Sequence, residues 1–107
     1  MAGRPYAETA KKVLAPFVEG EIPTADFHKM VDEAYGIAPL VQIGDNHWVM
    51  ELFHGPTLAF KDVAMQLLAR LMDYVLAERG QKATIVGATS GDTGGAAIEG
   101  ISWPGKY

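Results

Sequence analysis

An α/β fold built on a parallel sheet, preceded by packing helices, is the class this sequence predicts, on three observations. From Trp48 to Ile98 the patterns run strand, helix, strand, helix, the order of a parallel α/β unit. The first strand-like run, Trp48 to Phe53, is largely apolar on both faces, as in a strand covered on both sides. The loops that follow the two strand-like runs hold the chain's most unusual residues, and in parallel sheets ligands collect at the carboxyl ends of strands.

At 107 residues the chain makes one domain at most, and 49% hydrophobic with 21% charged content is ordinary for a globular protein with a modest core. The net charge of −4 comes without a basic cluster, so neither a nucleic acid nor an anionic membrane is an expected partner. With no cysteine, disulfides, thiol nucleophiles and thiolate metal sites are excluded. The first residues lack the apolar core of a signal peptide, and no apolar run approaches the ~20 residues needed to span a bilayer. The reading is of a cytoplasmic protein.

Residues 1–36 form a helical N-terminal segment in this reading, and 37–107 form the start of an incomplete α/β domain. Tyr6, Ala10, Val13, Leu14 and Phe17 recur at helical spacing, with Pro16 expected to kink or end that helix early. Thr24 is placed to cap a second helix bearing Phe27, Met30, Val31 and Ala34 and closed by Gly36. His28 has no second ligand at a clear spacing, so it reads as a surface or packing residue, and no metal site is expected. Leu40 to Ile43 form a short strand, and Asp45-Asn46 turns the chain into the next.

The chain's organising stretch is Glu51-Leu-Phe-His-Gly-Pro-Thr-Leu-Ala-Phe-Lys-Asp62, in which Gly55 and Pro56 break the strand. Val63, Ala64, Leu67, Leu68, Leu71, Met72, Val75 and Leu76 then mark the strongest helix, with Thr57 as its cap if it starts at Leu58 and Gly80 as its stop. Asp62 suits the positive end of the helix dipole, but Lys61 does not. A cation there costs about 0.3–1 kcal/mol when exposed. A lysine is ordinarily a solvated surface residue. Where its charge is disfavoured it becomes a nucleophile towards carbonyls.

Ala83 to Ala88 is a β-prone apolar run, followed by Thr89-Ser-Gly-Asp-Thr-Gly-Gly95 and a helical pattern from Ala96. Hydroxyls and backbone amides at a helix start suit an anion, although a purely structural turn is an equal reading of such a loop. The loop has neither the triphosphate-binding nor the dinucleotide-binding spacing, and Asp92 opposes a polyphosphate. A single carboxylate or phosphate is the more economical ligand.

The Glu51–Asp62 stretch followed by Ala88-Thr-Ser-Gly-Asp-Thr-Gly94 resembles the threonine synthases, pyridoxal-phosphate enzymes of the tryptophan-synthase-β-like fold (fold type II). The resemblance implies a three-layer parallel-sheet fold, pyridoxal 5'-phosphate as cofactor, and conversion of O-phospho-L-homoserine and water into L-threonine and phosphate. It implies that Lys61 holds the cofactor covalently and moves the substrate's Cα proton. Thr89, Ser90, Gly91, Asp92 and Thr93 would receive the substrate's α-carboxylate, with Asp92 also beside the cofactor ring. His54, Pro56 and Thr57 match the motif without an assigned role. Against that family the chain is short: the glycine-rich loop for the cofactor phosphate and the partner of the pyridine nitrogen are expected outside it. The join from Ala34 to Pro39 is also shorter than usual, and Ile101 to Tyr107 does not continue the pattern. The expectation is therefore part of an enzyme, inactive alone and open to association through an exposed sheet edge. Another lyase of the same fold, such as a hydroxy-amino-acid dehydratase or a phospho-amino-acid lyase, and a non-catalytic anion-binding fragment are the alternatives.

Overall fold

The computed structural model describes residues 4–102, so residues 103–107 of the divergent tail lie outside the described residues. Two helices come first, α1 (Tyr6–Val18) and α2 (Thr24–Tyr35), followed by a hairpin of β1 (Leu40–Gly44) and β2 (His47–Met50). Two more helices end the described chain, α3 (Asp62–Glu78) and α4 (Asp92–Ile101).

The core lies where α1, α2 and α3 meet. Ala10 of α1, Phe27, Met30, Val31 and Ala34 of α2, and Leu67 of α3 form one buried cluster, flanked by Leu14, Val18, Leu71 and Tyr74. Full burial of a side chain the size of Val31, Met30 or Phe27 stabilises by about 1.5–3 kcal/mol, so α2 is the element most firmly held. Ion pairs run from α2 to both neighbours: Lys11 Nζ lies 2.6 Å from Asp32, and Arg70 Nε lies 3.5 Å from Glu33. The helical N-terminal segment and α3 thus share one core.

Several expectations change. Pro16 lies inside α1, which runs to Val18. Proline loses its own amide bond and crowds the carbonyl four residues back, but two residues from the helix end little ladder remains to be disturbed. Thr24 is the first residue of α2 rather than its cap; Pro23 occupies the cap position and no side chain bonds there. The strand-like run 48–53 ends at Met50, pairs antiparallel with β1, and is exposed along its whole length. Its doubly apolar pattern calls for cover on both faces, yet no layer among the described residues supplies it. Residues 83–88 form no strand, and Val86 is 90% exposed. A β-prone run needs a neighbouring strand for its backbone bonds, and none lies beside it among the described residues. The sheet formed among the described residues is a two-stranded antiparallel hairpin.

Other signals hold locally. Asn46 takes the left-handed conformation (φ 57°) in the hairpin turn, which asparagine tolerates. At the end of α3, Gly80 at φ 59° donates to Ala77 O and Gln81 donates to Leu76 O, the paired bonds of a Schellman stop.

Candidate functional site

The first loop does not deliver Lys61 inside a helix started at Leu58. Residues 55–61 form a closed turn instead, and α3 begins at Asp62 with Lys61 as its cap residue in helical geometry (φ −66°, ψ −20°). The closure is polar and buried. Asp62 is fully buried; its Oδ2 accepts the Thr57 N–H at 2.9 Å and its Oδ1 accepts the Thr57 hydroxyl at 2.8 Å. Each carboxylate oxygen thus has a donor, which a buried carboxylate requires. A Cβ on Gly55 would fall 2.5 Å from Asp62 Oδ2, so only glycine lets the strand end pass this close. The turn also forces Leu58 to φ 62°, a strained conformation for a bulky residue, with its N–H donating to Gly55 O at 3.1 Å.

Lys61 is fixed at its backbone and open at its tip. Its carbonyl accepts from Met65 N at 3.0 Å, and turn bonds from Asp62 N to Ala59 O and from Val63 N to Phe60 O bracket it. Its side chain is partly exposed, and the amine lies 5.8 Å from the centre of the Phe60 ring, with no carboxylate pairing it among the described residues. His54 points elsewhere: its Nε2 is 2.5 Å from Glu51 Oε2 and its ring stacks on Phe53 at 4.6 Å.

The second loop serves α4 first. Thr89 Oγ1 accepts the N–H of Gly91 at 3.0 Å and of Gly94 at 3.1 Å, so this hydroxyl caps the helix and occupies two of the amides expected to face a ligand. Gly91 sits at φ 139°, a conformation that side chains rarely adopt, and its carbonyl accepts from Gly95. Asp92 and Thr93 begin α4, where first-turn amides have no partner within the helix, and no other acceptor for them lies among the described residues. Ser90 and Asp92 are exposed, and Thr93 is partly buried.

The two loops converge. A Cβ at Gly95 would lie 4.0 Å from Thr57 Cγ2, whereas one at Gly100 would lie 3.1 Å from Met65 O and 3.2 Å from Ala69 Cβ. Going along α4 thus also goes along the first loop and α3, so both helices start at the same end. Lys61 and the Thr89–Thr93 loop share that end, and Thr57 is the residue between them. Sequence reasoning took Thr57 as a helix cap and Asp62 as a dipole partner; their mutual bond across five residues escaped it. The available signal was Gly55, a glycine next to a proline and two residues before a hydroxyl. An open groove of ≈ 800 Å³, lined by residues such as Tyr6, Tyr35, Pro39 and Trp48, takes none of its lining from either loop.

The chain is similar to threonine synthases over nine tenths of its length. It is 61% identical over 104 residues to that of Pseudomonas aeruginosa, covering 92% of this chain and 22% of the relative. It is 40% identical over 112 residues to that of Methylobacillus glycogenes, covering 91% of this chain and 23% of the relative. Among solved structures, the pyridoxal-phosphate-bound threonine synthase from Brucella melitensis superposes with a TM-score of 0.79 at 68% identity, over 92% of this chain and 23% of that one. The yeast threonine synthase does so with a TM-score of 0.75 at 39% identity, again over 92% and 23%. No family model matches the chain. The chain therefore spans about a fifth of the length of the relatives it matches, and its fold is that of a segment of the threonine synthases. The α/β class expected from the sequence holds in that sense.

Proposed function

We propose, from the premise that this chain is a segment of threonine-synthase fold, that it carries the lysine side of a pyridoxal-phosphate site in an enzyme converting O-phospho-L-homoserine and water into L-threonine and phosphate. The observation that carries the reading is the shared start of α3 and α4, which sets a lysine amine without a carboxylate partner at the same end as a helix-start loop with free amides. That donor set fits the cofactor: an amine for its aldehyde and an anion-accepting loop for the substrate it carries.

Lys61 would hold the cofactor, which when bound supplies an electron sink at the substrate Cα. With its amine released when the substrate's amine takes its place on the cofactor, Lys61 Nζ would be the group that takes the Cα proton and returns one later. The amides of Asp92 and Thr93, with the hydroxyls of Ser90 and Thr93, would hold the α-carboxylate and so fix Cα against Lys61. Thr89 contributes by holding the loop, since its hydroxyl caps α4. Asp92 stands exposed, free to face the cofactor ring.

Residues 37–107 are taken as the start of the cofactor domain and 1–36 as its packing helices. The exposed apolar hairpin, with Trp48 57% exposed, favours association through the sheet edge, and no helix among the described residues is long and apolar enough to cross a membrane. A cytoplasmic setting suits a biosynthetic enzyme of this class. Lys61→Ala in the full-length protein is expected to abolish the visible absorbance of lysine-bound cofactor and threonine formation together. Survival of that absorbance overturns the assignment; phosphate release without threonine redirects it to another lyase chemistry.

A further inference from the structure

We infer that the Thr57–Asp62 pair is the positioning element of Lys61: it sets where the amine can reach without touching the reacting atoms. This rests on the reading of Lys61 as the attachment lysine, and it adds two residues that bond to each other.

Lys61 and Asp62 are consecutive, so the side chain that locks Asp62 also locks the backbone from which the lysine extends. Asp62 is fully buried and its two bonds end on one residue, Thr57. Thr57 in turn lies against the α4 start through its methyl group, 4.0 Å from the position a Cβ would take at Gly95. The same residue therefore ties the lysine turn to Asp62 with its polar atoms and to the second loop's helix with its apolar one. Two further features accompany this closure: Gly55 leaves room for the carboxylate, and Leu58 is held at φ 62°. Strain of order 1–3 kcal/mol persists where surrounding bonds over-determine it. A turn that needed only to connect β2 to α3 would not require a buried carboxylate. With the pair broken, Lys61 keeps its chemistry and loses its place.

The test is attachment itself, measured in the full-length protein with pyridoxal phosphate followed by borohydride. The Lys61 nitrogen lone pair bonds to the aldehyde carbon, the carbonyl oxygen leaves as water, and hydride then reduces the C=N bond to a stable secondary amine. Mass spectrometry of peptides gives the rate at Lys61 relative to exposed Lys82 in the same molecule. Thr57→Val keeps the shape and the methyl group beside Gly95 but removes the hydroxyl donor; Thr57→Ser restores the hydroxyl and removes the methyl. We expect the Lys61-to-Lys82 ratio to fall at least tenfold in Thr57→Val and to stay within about threefold of the parent in Thr57→Ser, with helical circular dichroism unchanged.

An unchanged ratio in Thr57→Val overturns the inference and leaves the role of Lys61 standing. No preference for Lys61 in the unsubstituted protein instead overturns the attachment reading. If Thr57→Val loses its helical signal, hydrogen exchange of the Thr57 amide in the unsubstituted protein decides: strong protection is the expected result, and exchange at the rate of an open loop overturns the closure.

Discussion

Gly55→Ala isolates the space between β2 and α3, because Gly55 does not occupy the left-handed region and the added methyl meets no backbone objection. Its Cβ would lie 2.5 Å from both Cβ and Oδ2 of Asp62 and 2.8 Å from Cγ. These contacts are far inside van der Waals range, so the turn must open or Asp62 must swing out. Overpacking of this kind costs about 1–3 kcal/mol. If Asp62 moves, its bonds to Thr57 break inside a buried site, adding about 1–3 kcal/mol. The two routes relieve each other, so the expected total is about 2–4 kcal/mol, a large share of the roughly 5–15 kcal/mol typical of a folded domain. Urea unfolding followed by far-ultraviolet circular dichroism measures it, with Gly36→Ala as the control: Gly36 has φ −67° and nothing within 4 Å of its built Cβ. The control should be neutral or gain up to about 1 kcal/mol. A loss below about 0.5 kcal/mol for Gly55→Ala, with the same unfolding slope, refutes the closed geometry of the turn.

Two other outcomes follow from single residues. Leu58 is 70% exposed and sits at φ 62°, so Leu58→Gly removes strain without removing packing; relief of about 1–2 kcal/mol against an entropic cost of about 0.5–1 leaves a net gain of about 0–1.5 kcal/mol in the same assay. Tyr35 ionises above the usual tyrosine value of 10.0, because burial and then the neighbouring Tyr6 disfavour its phenolate. With the folded value raised, the stability it contributes is complete below about pH 10 and is lost as pH climbs through the folded value. Melting curves from pH 9 to 11 should therefore fall less steeply in Tyr35→Phe than in the parent, and a parallel fall contradicts the shift.

The helices and the two hairpin strands were legible in this sequence, whereas the β-prone run 83–88 forms no strand, for one reason. A helix closes its backbone bonds within itself, so the periodicity of Phe27, Met30, Val31 and Ala34 or of Leu67 and Leu71 needs only one apolar face to become structure. A strand's bonds are lent by neighbours: of the run 48–53 only the part to Met50 is strand, paired with β1, and the run 83–88 has no partner strand among the described residues. The hairpin alone could form locally, since Asp45-Asn46 brings its own partner strand. The site was legible by residue type and illegible by connection. Lys61 and the Thr89–Thr93 loop stand out in the sequence; that Thr89 spends its hydroxyl on α4, and Thr57 on Asp62, depends on distances no spacing rule encodes.

Some breaches of local preference fall where the chemistry is assigned; others fall at turns, where Asn46 and Gly80 take positive φ, and at the α2–α3 contact, where Arg70 is buried. Leu58 in a left-handed conformation and Gly91 at φ 139° fall within the two loops, and the carboxylate at zero exposure, Asp62, opens α3 beside the first; none belongs to the buried cluster of α1, α2 and α3. A core rewards mainly fit; a site must hold certain atoms at certain places, and residues that do so can give up their own preference. The α3–α4 contact shows how the cost is contained. Gly100 brings α4 within 3.1 Å of a Met65 carbonyl at the built Cβ, so the two helices pack as a close pair and present their starts as one surface. Strain in either loop is then opposed by the packing of both helices. The lysine's position is thereby linked to the second loop through Thr57 and through the body of the helix pair.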